Sequence, residues 1–161
     1  GTAAKGKTCV GSGNLLMESV HVAHDAFVGN DCIIGNGTKL AGEIIIDDHA
    51  IISANVLMHQ FCRVGGYTMV GGGTRFSQDI PPYTICAREP VAYCGLNLVG
   101  LRRRGFSNEL IENIHNAYRI IYQGGVPLNE ALQKVREEVP ASPEIDYIIE
   151  FIENSKRGFV H

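Results

Sequence analysis

Stepping along the chain six residues at a time from Val10 lands on Val10, Leu16, Val22, Val28, Ile34, Leu40, Ile46, Ile52, Met58, Val64, Val70 and Phe76, and every one is apolar. In a chain that is 45% hydrophobic, twelve successive hits in a given frame arise by chance roughly 7 times in 100,000, so the period belongs to the sequence. Two residues before each of these runs a second series, Thr8, Asn14, Val20, Ala26, Cys32, Thr38, Ile44, Ala50, Val56, Cys62, Thr68 and Thr74, mostly small or β-branched. The residue after the aliphatic one is often glycine, as at Gly11, Gly29, Gly35, Gly65 and Gly71. That suits a tight turn in which a Cβ would crowd the backbone. A hexapeptide period of this kind predicts a parallel β-helix. Three hexapeptides close one triangular coil, so residues 18 apart in the sequence stack at the strand spacing of about 4.8 Å. Four such coils fit between about residue 8 and residue 80.

The period stops at "SQDIPPYTI", and "REPVAYCGLNLVGLRRRG" reads as an irregular connection with a short extended piece. Ser107 is placed to N-cap a helix through "NELIENIHNAYRIIYQ", whose Leu110, Ile111, Ile114, Ala117, Tyr118 and Ile121 form one apolar face. A second helix follows Pro127, and a third begins at Ser142-Pro143 and runs to a stop at Gly158. The expected fold class is therefore an all-β parallel β-helix over residues 1–85, a connecting segment over 86–106 and an α-helical region over 107–161. The helices cap the C-terminal end of the coils; no comparable cap is evident at the N-terminal end.

Composition narrows the picture further. No window approaches 18 consecutive apolar residues, so no membrane span is expected. The formal net charge of −3 argues against nucleic acid as a partner, although "LRRRGF" gathers three of the 14 basic residues in one place, which suits an acidic partner. Five cysteines without a CxxC pair favour neither a disulfide framework nor a cysteine-rich zinc site, and a reducing cytoplasm fits. Cys32 and Cys62 fall in the small inward column. The opening "GTAAKGKTCVGSG" has neither an initiator Met nor a signal-peptide pattern and reads as a chain that begins in the middle of something.

Within "VHVAHDAFVG" two histidines and an aspartate interrupt the apolar run. The 18-residue rule stacks His24 with Gly42 and Gln60, and Asp25 with Glu43 and Phe61; His59 stands beside Gln60. His24, Asp25, Gly42, Glu43, His59 and Gln60 then form one patch at a corner of three coils. None lies in an inward column, so all are expected to project outward. Gly42 leaves a gap beside His24 with a backbone N–H exposed to it. Histidine takes a proton near neutral pH, and a neighbouring carboxylate raises its basicity. Solvated surface residues and a metal site are the competing readings. His24 and His59 are two coils apart, on the order of 10 Å, too far for one ion within one subunit. His49, His115 and His161 lie elsewhere and read as surface or structural residues.

The stretches "NLLMESVHVAHDAFVGN", "LAGEIIIDDHAIIS", "HQFCRVGGYTMVGGG", "QDIPPYTI" and "GLNLVGLRRRGFS", in this order, resemble the UDP-N-acetylglucosamine O-acyltransferase family of lipid A biosynthesis over nearly the whole chain. The resemblance implies left-handed coils, a departure from the usual right-handed crossover. It implies a homotrimer with sites between adjacent subunits, transferring an (R)-3-hydroxyacyl group from acyl carrier protein to the 3-hydroxyl of UDP-N-acetylglucosamine. No metal or separate cofactor is implied; the acyl group arrives on the carrier's phosphopantetheine. By the same resemblance His24 is the general base, the Gly42 N–H the oxyanion donor, Asp25 the acidic neighbour of the base, and His21 a substrate-binding histidine. His59 and Gln60 line the substrate cleft, Gly72 ends the acyl groove, and Asn97, Arg103 and Arg104 lie near the nucleotide and its phosphates.

Glu43 stands where the family commonly has histidine, and Val99 where it has a carboxylate; both bear on substrate contacts. The family's early coils have no counterpart ahead of Gly1. Alternatives include the N-acyltransferase of the same pathway, a hexapeptide carbonic anhydrase using His21, His24 and His59 across a trimer, and a non-catalytic scaffold. The tail from "GLNLVGLRRRGFS" onward favours the O-acyltransferase.

Overall fold

A computed structural model describes residues 1–161. Twelve two-residue strands recur every six residues: β1 Cys9–Val10, β2 Leu15–Leu16, β3 His21–Val22, β4 Phe27–Val28, β5 Ile33–Ile34, β6 Lys39–Leu40, β7 Ile45–Ile46, β8 Ile51–Ile52, β9 Leu57–Met58, β10 Arg63–Val64, β11 Met69–Val70 and β12 Arg75–Phe76. They form the three faces of a left-handed parallel β-helix. The first face is β1-β4-β7-β10 and the third is β3-β6-β9-β12. The second, β2-β5-β8-β11, is extended by β13 (Thr84–Ala87) and β14 (Ala92–Leu96). The register is the one the period predicts, with Val10 beside Val28, Val28 beside Ile46 and Ile46 beside Val64.

The aliphatic series is buried from Val28 to Phe76, while Val10 and Leu16 are 46% and 40% exposed because the first coil has a stacked neighbour on one side only. Buried threonines of the small column bond to backbone carbonyls, Thr38 to Ser53 and Thr68 to Gly65. Burial raises the thiols of Cys62 to about 11 and Cys86 to about 12, so both behave as small core residues.

The corners depart from the sequence reading in an instructive way. The left-handed conformation falls two residues after the glycine positions, at Gly13, Ser19, Asp25, Asp31, Gly37, Glu43, His49, Asn55, Phe61, Tyr67 and Gly73. Most of these carry a side chain, at a cost of roughly 1–2 kcal/mol each. A coil-to-coil hydrogen bond offsets it: the N–H of Glu43 reaches the His24 carbonyl at 3.0 Å, that of His49 the Asn30 carbonyl at 2.9 Å, and that of Phe61 the Gly42 carbonyl at 3.3 Å. The glycines answer to space instead. A Cβ on Gly35 would stand 2.5 Å from the Ala54 nitrogen, and one on Gly65 2.5 Å from the Pro82 nitrogen.

After β12 the coil shortens. Ile80 bridges Val64, and Cys86 pairs with Val70, sixteen residues on rather than eighteen, because the step from Phe76 to Ile80 is four residues where the period has six. β13 and β14 make an antiparallel hairpin, and the stretch expected to be irregular also holds a short helix, α1 (Leu98–Arg103). The next helices are α2 (Asn108–Gln123) and α3 (Leu128–Glu138). Ser107 caps α2 as expected, accepting from the Leu110 N–H at 3.1 Å. The last helix, α4 (Pro143–Glu153), ends at Asn154 and not at Gly158. The residues beyond it turn back onto the coils: the Asp79 N–H bonds to Gly158 O, and the Val160 N–H to Asp79 O, both at 2.9 Å.

α4 fixes the helices to the first face. The Tyr147 hydroxyl donates to Asp47 and accepts from the Gly66 N–H at 2.8 Å, while Arg63 forks onto Asp47 at 2.7 and 3.1 Å with its guanidinium 4.7 Å from the Phe151 ring centre. No helix of the chain is long and apolar enough to cross a membrane. Because backbone proximity demands glycine at position 35, Gly35→Ala is expected to destabilise the protein by about 1–3 kcal/mol. A shift of the urea midpoint at unchanged slope would register it; an unshifted midpoint would contradict the packing account.

Candidate active site

The corner between the third and first faces carries the histidine patch. His24 follows β3, Gly42 follows β6 and Gln60 follows β9, and the two corner bonds described above lock these residues into one column. The His24 imidazole lies flat over Gly42. A Cβ there would be 2.4 Å from the ring Cε1 and 2.5 Å from Nε2, so glycine is the residue that lets the ring occupy this place. The Gly42 N–H finds no acceptor within the chain. It is a free donor beside a histidine.

Asp25 differs from expectation. It was expected to project outward, yet its side chain is fully buried. Its backbone is left-handed at φ 58°, as at Asp31 and Phe61, whose side chains stay exposed; what covers the Asp25 carboxylate is the segment carrying Thr2. There the Thr2 N–H donates to it at 2.9 and 3.1 Å, the Thr2 hydroxyl donates as well, and the His24 Nδ1 lies 3.0 Å away. The Asp25 N–H in turn donates to the Thr8 hydroxyl at 3.0 Å. These bonds, that of the Thr2 hydroxyl foremost, hold the Asp25 carboxyl well below the usual carboxylate range against the opposing effect of burial. An ionised Asp25 accepts a hydrogen bond from His24 Nδ1–H, which fixes the tautomer and leaves the Nε2 lone pair free. His24 itself remains exposed. An oriented imidazole with a bare nitrogen, next to an unengaged N–H, is equipped to take a proton and stabilise a negative oxygen.

The other residues are placed as follows. His21 is exposed on the third face, in register with Lys39. His59 is exposed two coils along, its Nδ1 3.1 Å from the Gln60 carbonyl. Gly72 lies at a different corner, where a Cβ would meet nothing closer than the Ala54 carbonyl at 3.5 Å and φ is not left-handed. Neither packing nor backbone requires glycine there. Asn97 is buried, its amide accepting from the Gly100 N–H at 3.3 Å and donating to the Tyr67 carbonyl at 3.1 Å. Arg103 and Arg104 are exposed at the end of α1 and form no ion pair within the chain. One chain thus joins His24, Asp25 and Gly42 directly, with His21, His59 and Gln60 along the same side, and holds Gly72, Asn97, Arg103 and Arg104 apart. No three His, Cys, Asp or Glu side chains converge as a ligand set within it.

Thr2 and Thr8 were not identified from the sequence. Thr8 sits in the small column and carried a weak signal through its polarity, whereas Thr2 lies outside the period and carried none.

Residues 79–160 match the family model described as UDP N-acetylglucosamine O-acyltransferase, domain 2. Over 156 residues, 97% of the chain, it is 40% identical to the acyl-(acyl-carrier-protein)–UDP-N-acetylglucosamine O-acyltransferase of Aliivibrio salmonicida, covering 60% of that protein. The crystal structure of the UDP-N-acetylglucosamine acyltransferase of Bacteroides fragilis superposes with a TM-score of 0.99 at 73% identity, over 100% of this chain and 63% of that one. That of Francisella novicida superposes at 0.92 with 36% identity, over 99% and 59% respectively. The chain therefore spans about 60% of the length of the curated relatives it matches.

The Asp25 carboxylate, more acidic folded than unfolded, contributes stability above its unfolded value near pH 4 and loses it as pH falls further. Chemical denaturation of the protein and of Asp25→Asn should therefore differ by a constant amount between pH 5 and 7, and the difference should shrink progressively as pH falls below about 4. A difference that persists unchanged in acid would refute the ionised state assigned to Asp25.

Proposed function

The chain belongs to the UDP-N-acetylglucosamine O-acyltransferase family, and on that footing we propose that the protein moves an (R)-3-hydroxyacyl group from acyl carrier protein to the 3-hydroxyl of UDP-N-acetylglucosamine, the first step of lipid A synthesis. The observation that carries this reading is the corner itself: His24 over Gly42, its Nδ1 on a buried carboxylate and a free N–H beside it.

In the proposed reaction His24 Nε2 accepts the proton of the sugar 3-hydroxyl while that oxygen attacks the thioester carbon. The carbonyl oxygen becomes an oxyanion and accepts from the Gly42 N–H, an interaction of a kind worth about 3–4 kcal/mol of barrier. Collapse breaks the carbon–sulfur bond, and the departing pantetheine thiolate recovers the proton from His24. Asp25 stays ionised and stabilises the transient imidazolium. No metal and no cofactor beyond the carrier's phosphopantetheine takes part.

His21, His59 and Gln60 line the cleft in this reading. Gly72 ends the acyl groove, and its freedom from any packing demand supports that role. Asn97 acts on the nucleotide indirectly. Its amide secures α1 and so sets where Arg103 and Arg104 meet the phosphates. The homotrimer is supported by the second face, whose outward positions Leu15, Ile33, Ile51, Met69 and Ile85 form an unbroken apolar column, Leu15 being 54% exposed in the single chain. Such a stripe is stable in water when another subunit covers it.

His24→Ala is expected to lower acyl transfer from 3-hydroxyacyl carrier protein to UDP-N-acetylglucosamine by about 10²- to 10⁴-fold. Sedimentation velocity of the same preparation should show the trimer intact. Transfer near the unsubstituted rate would overturn the assignment of the base.

A further inference from the structure

Thr2 lies outside the hexapeptide period and is exposed, yet it is the residue that meets the buried carboxylate of the histidine corner. Its backbone N–H donates to both Asp25 oxygens, to Oδ1 at 2.9 Å and to Oδ2 at 3.1 Å, and its hydroxyl donates to Oδ2. Oδ2 is also the oxygen that faces His24 Nδ1, at 3.0 Å. On its other side the Thr2 hydroxyl accepts from the Ala4 N–H at 3.3 Å, while the Gly6 N–H bonds to the Thr2 carbonyl at 2.6 Å, so a local turn closes on this residue. The hydroxyl has one proton to give, and Asp25 is the acceptor the chain offers it. Thr8 completes the arrangement on the backbone. Its hydroxyl donates to the Ala23 carbonyl at 3.2 Å and accepts from the Asp25 N–H at 3.0 Å, which brackets His24.

The two oxygens of Asp25 are therefore unequal. Oδ1 takes the Thr2 N–H alone, whereas Oδ2 is shared by the Thr2 hydroxyl and the imidazole. One N–H is a single anchor about which a carboxylate can pivot. The hydroxyl is a second, and together they fix the direction from which Oδ2 meets Nδ1; bonds to an ionised acceptor are the strong ones. Packing does not call for a hydroxyl here, because Thr2 belongs to neither apolar core. We propose that Thr2 is a positioning residue for acyl transfer, acting through Asp25 to hold the His24 imidazole in its Nδ1–H tautomer with Nε2 bare toward the acceptor hydroxyl. The proposal rests on the acyl-transfer reading and adds to it a residue that makes no hydrogen bond to the base itself. A residue acting in this way alters the turnover of bound substrate and leaves its binding alone.

Thr2→Val keeps the N–H and the shape of the side chain and removes the donor, whereas Thr2→Ser keeps the donor. In Thr2→Val, kcat for transfer from 3-hydroxyacyl carrier protein to UDP-N-acetylglucosamine should fall about tenfold with both KM values within about twofold, and Thr2→Ser should recover most of the loss. Nitrogen NMR of the neutral imidazole needs no turnover. It should show His24 as the Nδ1–H tautomer in the unsubstituted protein and as a mixture of tautomers in Thr2→Val, the His24 resonances being identified by their loss in His24→Asn. An unchanged kcat in Thr2→Val, an unchanged tautomer, or a loss that Thr2→Ser fails to recover overturns the proposal. Absence of transfer by the unsubstituted protein would count against the acyl-transfer reading instead, and the spectra would still decide whether Thr2 sets the tautomer.

Discussion

From Asp31 to Gly73 the N–H of each left-handed corner residue reaches a carbonyl of the coil below, and the strand between corners bonds to the strand 18 residues away. This ladder is the constraint from which the rest of the molecule follows. It fixes the register, the register stacks like positions into columns, and the columns decide which side chains meet. A shift of one residue would exchange inward and outward positions throughout, so the aliphatic column and the histidine corner are specified together.

The chemistry of the corner is a by-product of that stacking. Glycine at position 42 leaves room for the His24 ring one coil away, and the backbone that the ring covers offers a donor no other group uses. Asp25 takes the same left-handed conformation as the other corners, and Thr2 covers its carboxylate. The proposed base, its carboxylate partner and the proposed donor thus come from positions whose backbone geometry the solenoid already imposes. The faces divide the remaining tasks. The first is covered by α4 through Tyr147 and Phe151, the second is apolar, and the third carries His21 and leads to the histidine corner.

Much of this was legible in the sequence because it is periodic. The coil boundaries, the inward column, the neighbourhood of His24 with Gly42 and the Ser107 and Ser142 caps all follow from spacing and local chemistry. What was hidden depends on contacts without a period. Asp25 reads as outward until Thr2, 23 residues earlier, is seen to cover it. The Tyr147 to Asp47 bond joins residues 100 apart. The strap after α4 is set by Asp79, which takes the Gly158 and Val160 backbone into a bridge and so ends the helix early. Asn97, assigned to the nucleotide by resemblance, proved to have both amide atoms occupied by α1 and Tyr67, a pairing that spacing alone does not reveal.

The central claim is that His24 works because Gly42 lets it lie against a free N–H. Gly42→Ala tests this most directly, since its Cβ would fall 2.4 Å from the imidazole while Gly42 needs no left-handed backbone. Steady-state transfer by Gly42→Ala should drop by at least about 10²-fold, with circular dichroism and subunit assembly unchanged. Transfer at the original rate, in a protein whose fold is equally intact, would contradict the account.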